Sequence, residues 1–145
     1  EEPKGEIKEM IKGYKNIHFM GWISQEKLAD VLRQGDILVN TANHEISMKF
    51  LDYVNARKTI LALNDRPSKF FKHKETAFLT DDFTQGLKEL IQNDELRKNI
   101  EKNMKKIKTY TWGEVADIHL ELYKRIISGD KNLDEFKTKY YHITY

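Results

Sequence analysis

The sequence predicts an α/β fold, a Rossmann-like parallel sheet flanked by helices, with about four strands visible and a helical carboxy-terminal third. Three observations predict it. Short apolar runs alternate with stretches whose apolar residues recur at helical spacing, and parallel strands need such helical crossovers where antiparallel pairs do not. The runs are apolar almost throughout, as strands covered on both faces are. Capping and turn residues stand at the junctions.

Taken in order, Gly5 to Lys15 carries Ile7, Met10, Ile11 and Tyr14 at helical spacing and reads as an amphipathic helix. Asn16 to Met20, ending at Gly21, is rich in β-favouring residues and reads as a buried strand. Ser24 caps the next helix, Leu28, Val31 and Leu32 form its apolar stripe, and Gly35 is placed to end it in a left-handed conformation. Asp36–Asn40 is the second strand. A polar loop from Thr41 to Ile46 leads to Ser47 as a cap, then to a helix bearing Met48, Leu51 and Val54 that ends near Ala56. Thr59–Leu63 is the third strand, followed by a turn around Pro67, a short helix at residues 69–73 and a fourth strand at Ala77–Thr80. Asp81 and Asp82 cap a helix with Phe83, Leu87, Leu90 and Ile91. Leu96, Ile100, Met104 and Ile107 mark another, and Thr111 caps a last one with Val115, Ile118, Leu122 and Ile126. Leu133, Phe136, Tyr140, Tyr141, Ile143 and Tyr145 make the tail too apolar for a solvated end, so it is expected to dock on the domain or on a partner.

Composition narrows the function classes. At 145 residues the chain suits one domain. Its 25 basic and 23 acidic residues leave a formal charge of +2, too balanced to make nucleic acid or an anionic membrane the obligate partner. Arg97 to Lys108 is a basic helical run that reads as a solvated face, the alternative being contact with RNA or a lipid surface. No nucleic-acid partner is expected. Cysteine is absent, which removes disulfides, thiolate zinc sites and a cysteine nucleophile from these residues. The five histidines show no metal-ligand spacing, and no Walker-type loop or Ser-His-Asp order occurs. No metal and no cofactor are expected. No stretch reaches the roughly 18–20 apolar residues of a bilayer span, and residues 1–4 do not read as a signal peptide. A cytoplasmic location is the expectation.

In a parallel sheet, ligands sit beyond the carboxyl ends of the strands, and the segment after Asn40 is the richest there. It runs through His44, Glu45, Ile46, Ser47, Met48 and Lys49 into a helix that carries Asp52 and Tyr53. A helix entrance offers unpaired N–H groups and the positive dipole end to a phosphate. Lys49 adds charge, and Asp52, one turn deeper, can accept hydrogen bonds from two vicinal hydroxyls. Spacing alone also permits the plainer reading of a cap followed by solvated charges.

The order Asn16-Ile17-His18-Phe19-Met20-Gly21-Trp22-Ile23-Ser24, then Gly35 to Asn40, then Ser47-Met48-Lys49-Phe50-Leu51-Asp52-Tyr53-Val54 with Lys58 to Ala62, resembles the carboxy-terminal domain of GT-B glycosyltransferases of group 1. The similarity continues through Asp81–Leu96 to Tyr110-Thr111-Trp112 and covers nearly everything to about residue 127. The resemblance implies a transferase whose residues 1–128 form the donor-binding domain, with 129–145 as a tail. It implies a nucleotide-diphosphate sugar as donor, with the backbone of Ile46 to Met48, Ser47 and Lys49 at the diphosphate and Asp52 at the ribose. Glu45 would contact the sugar as the catalytic acidic residue, with His44 beside it, and Gly21, Trp22 and Ile23 would border the base. Partners implied are a separate amino-terminal acceptor-binding domain and peripheral membrane association of the full-length protein. His44 and Trp22 each keep a plainer alternative, an exposed loop residue and a packing residue.

Three departures from the family pattern stand out. Glu45 and Asp52 are separated by six residues rather than seven, and the second acid is Asp. Arg57 and Thr59 replace the usual glycine and proline. The two strands and the glycine-rich basic turn that precede the first helix in the family are not in this sequence, which predicts a fragment, a second chain that completes the sheet, or rearranged pairing. Isolated catalysis is not expected. The rival reading is a non-catalytic protein-interaction domain of the same architecture, working through its helical carboxy-terminal third and aromatic tail.

Overall fold

Three of the apolar runs build the sheet. The computed structural model describes residues 5–43, 48–130, 132–134 and 136. Among them, strands β1 (Ile37–Asn40), β2 (Thr59–Leu63) and β3 (Phe78–Thr80) pair in parallel in the order β1-β2-β3. Leu38 lies opposite Ile60, Val39 opposite Leu61, and Leu61 opposite Phe78. The chain is mixed α/β with helices on both faces of this sheet.

That register sorts side chains by alternation. Ile60, Ala62 and Leu79 face one side, where they pack with Phe50, Val54, Phe71, Ala77 and Met104. Leu61 and Phe78 face the other, with Leu90, Ile100, Ile37, Phe83 and Leu96. Helix α3 (Met48–Ala56) covers the first face through Phe50 and Val54, both nearly solvent-free. The Tyr53 hydroxyl donates to the Val39 carbonyl at 3.3 Å, fastening α3 to β1. Helices α4 (Phe83–Gln92) and α5 (Asp94–Met104) supply the second face, and Met104 reaches round to the first.

Side-chain caps fix the starts of α4, α5 and the last helix. Asp82 accepts from the Gln85 N–H at 3.0 Å and Asn93 from the Leu96 N–H at 2.9 Å. Thr111 and Glu114 form a reciprocal capping box at the start of α6 (Trp112–Ile127). Arg97 spends its guanidinium on structure: it donates to the carbonyls of Leu90 and Ile91 at the end of α4 and pairs with Asp94.

Several expectations are corrected. Residues 16–20 are not a strand, so three strands form the sheet where about four were expected. Ile17, Phe19 and Met20 are 42%, 49% and 61% exposed. Strand-forming side chains stabilise a strand only when a neighbour accepts the backbone ladder, and among the described residues β1 pairs only with β2. The first helix is limited to α1 (Glu6–Met10) and buries no residue. Helix α2 (Gln25–Gln34) starts after Ser24, whose hydroxyl makes no cap bond, and Gly35 leaves it at φ −75° rather than left-handed. A Cβ there would stand 3.2 Å from Leu38 Cδ2, a tight contact that the leucine end would have to relieve by a small shift. In α3 the buried stripe is Phe50 and Val54, not Met48, which is 57% exposed. The short helix after the turn is a 3₁₀ segment at Arg66–Lys69, three residues early.

Of the tail, Phe136 is buried and the Arg125 guanidinium lies 5.5 Å from its ring centroid. The other aromatic tail residues, Tyr140, Tyr141 and Tyr145, fall outside the described residues. Among the described residues no helix is long and apolar enough to cross a membrane.

Candidate functional site

At the carboxyl end of the sheet the strand order brings the loops after β1 and β2 side by side. Asn43 Nδ2 donates to Asp65 Oδ2 at 2.7 Å and ties them. Asn40, the last residue of β1, is 4% exposed, and its Oδ1 accepts the Ala42 N–H at 2.9 Å. That bond fixes the amide, yet Asn40 Nδ2 has no hydrogen-bond partner among the described residues. A buried donor left unpaired costs about 1–3 kcal/mol. A polar residue closing an otherwise apolar strand was the available signal for it, and sequence reasoning did not use it.

His44, Glu45, Ile46 and Ser47 lie outside the described residues, so the expectations for a catalytic Glu45 and for backbone amides at Ile46 and Ser47 rest on sequence. Chain description resumes at Met48 and Lys49, both exposed on the first turn of α3. The solvent-facing side of this turn is open rather than sealed beneath other side chains.

Asp52 follows one turn later and is half-buried. It lines a small cleft between α2 and α3 with Gln25, Ala29, Arg33 and Asn55, of about 120 Å³. Burial pushes its carboxyl above the usual carboxylate range. Arg33, on the facing helix, pairs with Asp30 at 3.1 Å. Asp52 forms no ion pair or hydrogen bond among the described residues. Its charge also raises the Tyr53 phenol above its ordinary value, a smaller effect than the burial of that ring. An unpaired carboxylate flanked by the amides of Gln25 and Asn55 suits a ligand rich in hydroxyl donors. Ligand pockets commonly measure roughly 300–1,000 Å³, so this cleft suits one ring-sized group.

Gly21, Trp22 and Ile23 do not converge on that cleft as directly. Gly21 takes φ +62°, a left-handed turn that favours glycine. Trp22 is 86% exposed, which removes the packing role as its alternative. Ile23 is half-buried and leads through Ser24 into α2, the helix that forms the far wall. The structure therefore joins α2 and α3 around Asp52, and Gln25, Arg33 and Asn55 are the wall residues that linear spacing could not pair.

Arg57, just after α3, has φ +57° and donates its N–H to the Val54 carbonyl at 3.0 Å. The left-handed turn that ends α3 and feeds β2 is thus present without glycine. No protein-family model matches the chain, and neither a curated protein nor a solved structure matches it.

Proposed function

We propose that this chain is the Rossmann-like donor-binding part of a GT-B type glycosyltransferase, which takes a nucleotide-diphosphate sugar and works with an acceptor-binding domain. The observation that carries the reading is Asp52, a half-buried carboxylate with no partner among the described residues, on the wall of a ring-sized cleft. Folding gains nothing from such a group, whereas two vicinal ribose hydroxyls would satisfy both of its oxygens. Lys49, exposed on the preceding turn of α3, is on hand for diphosphate charge.

In this reading the chain contributes electrostatics to the transfer. As the bond from sugar to diphosphate breaks, negative charge grows on the leaving oxygen. Lys49 and the N–H groups at the start of α3 stabilise that charge. Asp52 holds the ribose and so fixes where the phosphates lie, Trp22 and Ile23 border the base, and Glu45 with His44 addresses the sugar. Full catalysis requires the acceptor-binding partner.

Calorimetric titration of uridine, guanosine and adenosine diphosphates tests this. One of them is expected to bind saturably, with affinity about tenfold weaker in Asp52→Ala, the loss of one charge-assisted contact. An isotherm that Asp52→Ala leaves unchanged refutes the assignment.

A second reading has its own observation. Ile7, Met10, Phe19, Met20 and Trp22, all within residues 7–22, are each about half exposed or more, an excess of exposed apolar side chains of the kind that interaction surfaces carry. A folded chain that binds none of the three nucleotides favours a non-catalytic interaction domain.

A further inference from the structure

A second cleft, of about 570 Å³, lies between the β2–β3 connection and the segment that follows α5. Its size is that of a small-molecule site. Thr76, on its rim, stands two residues before β3, at the amino end of that strand, whereas Asn40 closes the carboxyl end of β1. The two clefts share no lining residue.

Both walls are held by the fold. On one side the Lys72 N–H donates to Thr76 Oγ1 at 2.9 Å, and the Lys72 carbonyl accepts from Glu75 and Thr76 at 3.1 and 3.0 Å. On the other, the N–H groups of Lys106 and Ile107 donate to Asn103 and Met104 at 2.9 and 3.1 Å. Phe70 and Ile107 pack on the main core beneath. Preformed walls of this kind bind without an ordering cost.

The lining chemistry is specific. Lys72, Lys106 and Lys108 line this one cleft from segments more than thirty positions apart, with Glu75 as the acidic residue of the lining. Their present partners are weak: Lys72 is 3.8 Å from an exposed Glu75, and Lys106 donates to the neutral Asn103 amide at 2.8 Å. The Lys108 ammonium rests 4.4 Å from the centroid of Tyr110. A phosphate offers all three ammonium groups a better acceptor, and Tyr110, with Ile107, leaves a flat, partly apolar wall for a ring.

We propose that this cleft binds a small phosphate monoester joined to a planar ring. The site is independent of the nucleotide-sugar reading. The part of the basic run that Arg97 and Lys98 do not use for intramolecular pairing is thereby given a ligand.

The test is amide-shift NMR on the full chain with phenyl phosphate, adenosine monophosphate and inorganic phosphate as probes. At least one ring-bearing probe is expected to shift residues 70–76 and 103–110 saturably. Phenyl phosphate alone would indicate a simple aryl ester, and adenosine monophosphate a nucleotide. Inorganic phosphate is expected to bind about tenfold more weakly. Lys106→Glu with Lys108→Glu, both solvent-exposed, should weaken binding at least about tenfold without altering the rest of the spectrum. Asp52→Ala should change nothing here, so failure at one site is distinguishable from failure at the other. Absence of shifts in these segments with both ring-bearing probes, equal binding of inorganic phosphate, or indifference to the lysine reversals overturns the proposal.

Discussion

Arg57→Gly is expected to stabilise the fold. Arg57 sits at φ +57° at the end of α3, with its N–H bonded to the Val54 carbonyl at 3.0 Å. A left-handed conformation costs an L-residue about 1–2 kcal/mol because its Cβ crowds the backbone. Glycine removes that cost but brings a more flexible unfolded chain, a loss of about 0.5–1 kcal/mol. The arginine side chain is exposed and makes no ion pair among the described residues, so its removal adds little. The balance is a gain of about 0.5–1 kcal/mol, or a rise in Tm of roughly 2–4 °C for a chain of this size. Urea unfolding followed by circular dichroism measures it, with Arg57→Ala as the control that keeps the strain and should be near neutral. If glycine proves neutral or destabilising while alanine does not, the turn is not strained and the reasoning fails. This turn sets α3, and with it Asp52, against β2.

Three further outcomes follow from the packing and the charges. Burial raises the folded-state pKa of Asp52 above the ordinary 3.8. The folded chain therefore holds that proton more tightly than the unfolded one, and stability is lost as pH rises through the window just above that value. Asp52→Asn should flatten that part of the pH–stability curve and stabilise the fold slightly at neutral pH, by less than about 0.5 kcal/mol. An unchanged curve would show the carboxylate to be fully solvated. A Cβ on Gly86 would stand 3.0 Å from Leu61 Cδ1 and Thr80 Cγ2 and 3.1 Å from Phe78 Cε1. Gly86→Ala should therefore lose about 1 kcal/mol, overpacking of roughly 1–3 kcal/mol outweighing a helix gain of about 1 kcal/mol. A gain in urea midpoint would show that α4 can lift off the sheet. Thr111→Ala removes one half of the capping box on α6 and should cost about 1 kcal/mol by thermal unfolding. No loss would mean that the start of α6 is held by other contacts.

What was legible in the sequence was local. The three sheet strands announce themselves because parallel strands covered on two faces are continuous apolar runs, and the caps at Asp82 and Thr111 because their bonds lie within four residues. Asn16–Met20 has the composition of a strand, yet composition cannot supply a partner, and among the described residues β1 pairs only with β2. Gly35 shows the same limit from the other direction: a left-handed end to α2 was expected from the glycine, and the backbone there is extended at φ −75°. Helical spacing placed Asp52 on an accessible side of α3. The facing wall of its cleft comes from Gln25, Ala29 and Arg33, more than fifteen positions earlier, and no periodicity links the two helices. Lys72 and Lys108 meet for the same tertiary reason.

The central claim is that the cleft between α2 and α3 receives the ribose of a nucleotide-diphosphate sugar. Amide-shift mapping of the isotopically labelled chain with each nucleoside diphosphate tests it most directly. The expected result is a saturable set of shifts centred on residues 25–33 and 49–56 for one nucleotide, with the titration midpoint moved up about tenfold in Asp52→Ala and the remaining spectrum intact. Shifts confined to other segments, or a set that survives the substitution unchanged, would contradict it.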